Sequence, residues 1–164
     1  MKKFIVLALA LSLVAVALFG CGATNGAFSG DWTFAEISKV ELAPDLSQED
    51  LDLLMQHYEV QDETGLVNAV RDEFVANQTF ATCYIKFGKK LTLTYDPLFE
   101  REATWFFYKL SETEGFLSFH EIEEVTGNPD PIVYPTVVYN AESDTMSLTI
   151  QHTTAYMVTI LLTK

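Results

Sequence analysis

Positive charge is scarce in this chain. Ten lysines and arginines stand against 23 aspartates and glutamates, for a formal net charge of −13 over 164 residues. That balance argues against binding nucleic acid or an anionic membrane surface electrostatically, because both need basic patches. Beyond Lys2-Lys3 the one basic pair is Lys89-Lys90, and a hairpin turn accounts for it. The acids are spread along predicted helix faces and loop edges, as on a solvated surface. Histidine is equally thin. His57, His120 and His152 have no His or Cys at metal-ligand spacing. His120-Glu121 with Glu123 and Glu124 is the most suggestive cluster. Neighbouring strand residues point to opposite faces, so His120 and Glu121 cannot share a site directly. No Gly-x-Ser-x-Gly elbow and no Gly-rich phosphate loop occurs. The expectation is a chain with no metal, no cofactor and no catalytic group, hence not an enzyme.

Long apolar runs are absent with one exception. Phe4–Phe19 carries no charge, follows Lys2-Lys3 and precedes Gly20-Cys21. This is the charged start, apolar stretch and small-residue cleavage site of a secretory signal. It falls short of the roughly 20 apolar residues of a membrane span. Leu18-Phe19-Gly20-Cys21 resembles the bacterial lipobox, in which a Leu and a small residue precede the Cys. The resemblance implies cleavage of residues 1–20 and diacylation of Cys21. Two acyl chains anchor stably where one binds marginally. Residues 21–28 then read as a flexible tether and 29–164 as one domain with a sizeable core. The expected location is the cell envelope: a lipid anchor in the cell or outer membrane, facing the periplasm or the exterior. Losing the signal removes two lysines and no acid, leaving 8 cations against 23 carboxylates and a net −15. With Cys21 acylated, Cys83 has no intramolecular disulfide partner. It sits in an apolar run and reads as a small buried residue.

Gly30–Leu42 begins with alternation, Trp32 and Phe34 sharing a face, and predicts a first strand. Ser47, with Asp50 three residues on and Leu46 spaced to meet Leu51, predicts a capped helix over about 47–59. Its stripe is Leu51, Leu54, Met55 and Tyr58. A second helix is predicted over about 64–76, with Leu66, Val67, Val70 and Phe74 inward and Asn77 as terminator. From Thr79 the period becomes two. Strands are predicted at 80–87, 90–95, 103–110, 116–122, 132–139, 145–151 and 154–163. The fold class is mainly β with a two-helix insertion (α+β), an eight-stranded antiparallel meander. Strands of this number do not stay flat, and closure removes exposed edges. A closed barrel is expected, with a strongly curved open sheet as the alternative.

Gly30-Asp31-Trp32 at the start of such a meander resembles the lipocalin-like (calycin) families. There, a Gly-x-Trp on the first strand plugs one end of the barrel. The resemblance implies structural roles for Gly30 and Trp32. The chain departs from the family in three ways. It has no Thr-Asp-Tyr-like second motif. It places a helical pair after the first strand. Near the last strand it has Lys164, and no Arg, to stack on Trp32.

Nineteen aromatic residues follow the signal. They fit a core dominated by large rings. They also fit an apolar pocket lined by Trp105, Phe107, Tyr95, Tyr139 and Tyr156. The expected function is a lipid-anchored module that captures a small apolar or amphipathic molecule. The alternative is a structural or protein-interaction module with a solid barrel and an envelope protein as partner, with an enzyme a distant third. Interior volume separates the first two: a ligand chamber needs about 300 Å³ or more.

Overall fold

The computed structural model describes residues 26–88, 91–94, 103–118, 120–122, 130 and 133–164. Eight strands follow in chain order: β1 (Gly30–Leu42), β2 (Tyr84–Phe87), β3 (Leu91–Thr94), β4 (Ala103–Lys109), β5 (Glu114–Ser118), β6 (Thr136–Asn140), β7 (Thr145–Gln151) and β8 (Tyr156–Thr163). Each pairs antiparallel with the next, and β8 pairs with β1 to close the barrel. The open-sheet alternative is thereby set aside. Helices α1 (Gln48–His57) and α2 (Glu63–Ala76) lie between β1 and β2.

Alternation drives the closure. Met146, Leu148 and Ile150 on β7 and Val158, Ile160 and Leu162 on β8 are all at most 1 % exposed. Ser147, Thr149 and Gln151 between them are only half-buried. A period of two therefore sends one apolar row inward and a polar row outward. Pro135 sits immediately before β6, where its missing N–H costs no ladder bond.

β1 is longer than the strand beside it. It pairs with β2 only over Gly30–Thr33, and beyond that with β8 alone. Its ladder shifts register between Phe34 and Glu36 and again between Ile37 and Lys39. Such bulges bend a strand, and β1 thereby leaves β2. The helical pair occupies the vacated side, with Arg71 Nη2 of α2 donating to the Ile37 carbonyl at 3.2 Å. Leu51, Leu66, Val70 and Phe74 carry the helices into the same core as the barrel.

The helix starts follow from their caps. The Asp50 N–H donates to Ser47 Oγ at 3.1 Å, and that hydroxyl donates to Asp50 Oδ2 at 2.6 Å. On α2 the cap is Asp62, whose Oδ1 accepts from the Gly65 N–H at 2.7 Å. Asn77 ends α2 as expected.

Four expectations are corrected. Phe80 to Cys83 is not strand: residues 79–82 turn beneath the helices, because Phe80 and Cys83 are both drawn into the core. The folded body begins within the expected tether, since Gly26–Phe28 forms a 3₁₀ turn that buries Phe28 completely. β5 runs Glu114–Ser118, so His120 lies past its end and is exposed. The expected sixth strand begins at Thr136; its first residue, Ile132, lies outside the described residues.

Candidate functional site

The end of the barrel where β1 begins and β8 ends is filled by rings. Trp32 is fully buried, and its indole Nε1–H donates to the Phe28 carbonyl at 2.8 Å. Phe28 sits 4.9 Å from Phe107 and 5.8 Å from Phe87, centroid to centroid, and Phe87 lies 5.0 Å from Phe107. Tyr139 meets the Trp32 ring edge-on at 6.0 Å. A Cβ on Gly115 would come within 2.3 Å of Phe107 Cε2, so this position has room for the ring only because it is glycine. Gly30 has φ +119°, a conformation open to glycine and strained for other residues.

Lys164 closes this base from outside. Its Nζ lies 4.6 Å from the Trp32 ring centroid and 5.8 Å from that of Tyr139. The same ammonium pairs with Asp144 Oδ1 at 3.3 Å, which also accepts from the Tyr139 hydroxyl at 3.1 Å. The hydrogen bond to Asp144 pushes the Tyr139 hydroxyl above its ordinary pKa. A cation over an indole face is attracted by the ring quadrupole, so Lys164 beyond β8 fastens β1.

At the opposite end the helical insertion packs against the β7–β8 connection and the turn before β2. Phe74 of α2 lies edge-on to Phe80 at 5.6 Å, His152 at 5.1 Å and Tyr156 at 6.3 Å. Tyr58, just past α1, donates to Glu73 Oε2 of α2 at 2.5 Å, which ties the two helices together. Burial and then Glu73 push the Tyr58 hydroxyl well above its ordinary pKa. Burial also raises Tyr156, with Glu73 adding to the effect and Tyr58 opposing it. Cys83 is 2 % exposed, and burial pushes its thiol up to about 12. A thiol held protonated in this way is no nucleophile.

The described residues among those expected to line a pocket do not all meet in one place. Phe107 and Tyr139 belong to the base plug. Trp105 is buried on β4 beside Leu91 of β3. Tyr156 lies at the helical end. Tyr95 and Cys21 lie outside the described residues. Trp32 is buried at the base and Gly30 opens β1. The histidines stay apart: His57 ends α1 against Tyr58, and His152 packs between Phe74 and Phe80. Among the described residues no three His, Cys, Asp or Glu side chains are grouped to hold a metal ion. No described helix is long and apolar enough to cross a membrane.

Two surface clefts flank the helices. One of about 270 Å³ runs between Phe34–Ile37 of β1 and Arg71, Phe74 and Val75 of α2. The other, about 340 Å³, is bounded by Asp45, Leu46, Asp50, Leu53 and Leu54 of the α1 region and by Thr154-Ala155. Sequence reasoning missed Phe28, Gly115 and the ring cluster at the helical end. Phe28 carried a weak signal, as a lone aromatic four residues before Trp32. Comparison with protein-family models, with curated proteins and with solved structures finds no match for this chain.

Proposed function

We propose that this chain is a lipid-anchored cell-envelope protein whose barrel is a solid scaffold and whose outer surface meets a protein partner. The supporting observation is the inward face of the wall. Trp32, Ile85, Leu117, Val137, Met146, Leu148, Val158, Ile160 and Leu162 are each 0 % exposed. A water-sized void touching any of them would leave accessible surface. These nine residues come from six of the eight strands, so a chamber of about 300 Å³ has little of the described wall left to border. The Gly30-Asp31-Trp32 plug, with Lys164 over the indole, supports a calycin-type relationship. Exposed Leu53 and Val75 on the helices support the outer surface as the working one.

Capture of a small apolar molecule is the second reading. It is favoured by Leu91, Leu93 and Trp105, which keep 6 %, 3 % and 4 % exposure on the inner side of β3 and β4. Native mass spectrometry and titration with a fluorescent fatty acid decide between them. A solid scaffold gives the mass of the chain alone and no saturable binding. A retained ligand, or stoichiometric uptake lost in Trp105→Ala but kept in Lys39→Ala, overturns it. The anchor has its own test. Membrane-extracted protein is expected to lack residues 1–20 and to carry a diacylglyceryl group on Cys21. A soluble product with a free Cys21 thiol sinks that part.

A further inference from the structure

The ends of the barrel differ in charge and in their distance from Cys21. Five residues, 21–25, precede Gly26, where the folded body begins. Fully extended, they reach at most about 18 Å. Gly26 sits at the base: a Cβ there would lie 3.8 Å from Lys109 Nζ and 4.0 Å from Glu112 Oε2, beside the β4–β5 turn. The base also holds the β6–β7 turn at Ala141–Asp144 and the terminal Lys164. The helical insertion attaches at the other end, where Leu42 pairs with Tyr156. Strands of eight residues tilted as in a barrel put the ends on the order of 20 Å apart.

Charge acts in the same sense. Between Ala43 and Cys83 the chain carries nine carboxylates and one cation, Arg71. At the base, Lys86, Lys109 and Lys164 are each paired with an acid, at 3.3, 2.8 and 3.3 Å. A bilayer with anionic headgroups therefore repels the helical end strongly and the base weakly. We infer that the barrel stands base-down on the bilayer, with the β4–β5 and β6–β7 turns over the headgroups and the helical end facing away. This rests on the reading of Cys21 as the lipid-bearing residue. The described base turns expose no large apolar side chain, so the base rests over the headgroups without entering the hydrocarbon. The surface left open to a partner is then the acidic helical end, with Leu53 and Val75.

Depth-dependent quenching on the full mature lipoprotein tests this. Ala141→Cys marks the base and Gln61→Cys the connection between the helices; both positions are exposed. Cys83 is buried, so a thiol-reactive fluorophore reports the introduced position alone. The protein is reconstituted in phosphatidylethanolamine–phosphatidylglycerol vesicles with a nitroxide on a fraction of the headgroups. Quenching at Ala141→Cys is expected to exceed that at Gln61→Cys at least threefold. Inserting twenty Gly/Ser residues before Gly26 should then weaken the Ala141→Cys signal. Equal or reversed quenching in lipidated, vesicle-bound protein overturns the orientation alone. Protein of unlipidated mass that does not float with vesicles overturns the anchor, and the orientation with it.

Discussion

Trp32 and Lys164 lie at opposite ends of the sequence, yet the ring of one carries the ammonium of the other. Their contributions differ in size. Trp32→Ala removes a fully buried ring and a hydrogen bond, and is expected to cost about 3–5 kcal/mol. Lys164→Ala leaves the ring buried and loses partly exposed contacts to Trp32, Tyr139 and Asp144, together worth about 1–2 kcal/mol. Urea unfolding of the two variants checks this. Equal midpoint shifts would mean that the plug is not what holds the base. Cys83 makes a prediction of a different kind. Its thiol titrates at about 12 in the folded chain against an ordinary 9.0. Below pH 9 the thiol is protonated in both states and its contribution is intact. Between pH 9 and 12 the unfolded chain loses the proton first, so stability falls as pH rises, by up to about 1.4 kcal/mol per unit. Tyr58 adds to the loss at the upper end of that window. Unfolding free energies measured from pH 8 to 11 should fall more gently for Cys83→Ala than for the parent. A parallel fall would place the titration elsewhere.

The helices show how far local chemistry reaches. Ser47, Asp50 and the Leu46–Leu51 spacing are legible in the sequence alone, and the capping bonds form at 3.1 and 2.6 Å. Ser47→Ala and Asp62→Ala should each cost about 1 kcal/mol. If the helices are a lid fixed by the core alone, neither will move the melting curve. β7 is equally legible, because its alternation is uninterrupted from end to end. β2 is not. Phe80 and Cys83 are as apolar as any strand residue, so periodicity extends the strand back over them. Helices then claim Phe80 through Phe74, with His152 on its other side, a tertiary contact that no local pattern announces. The aromatic residues named from the sequence show a related gap. Tyr139 and Tyr156 share a composition but lie at opposite ends of the barrel. Alternation tells which face a ring takes and says nothing of its height. Gly115 illustrates the gap: it reads as part of a turn, whereas it is a strand position emptied for Phe107. Gly115→Ala should destabilise by about 1–3 kcal/mol, as overpacking does. Gly115→Ala combined with Phe107→Leu should recover part of that loss in the same unfolding assay.

At the scale of the molecule, one seam makes the barrel. β1 meets β8 along most of its length, and cutting that seam would leave two unpaired edges that invite aggregation. A chain ending at Ala155 keeps β1–β7 but lacks the strand that closes them. It is expected to elute as soluble aggregate or precipitate, while the same chain continued through Lys164 elutes as a compact species. A compact, cooperatively unfolding truncation would show that the seam is dispensable. The seam also works as a clock. Ser38 and Thr159, hydrogen-bonded across it, are 121 residues apart. At usual ribosomal rates of about 5–20 residues per second, β1 waits about 6–24 s for its partner to be made. Until then most of its length is without a ladder, and non-local pairing of this kind is slow even once both strands exist. The barrel thus cannot close during synthesis until β8 has emerged, and the order of synthesis makes its closing seam the last to form.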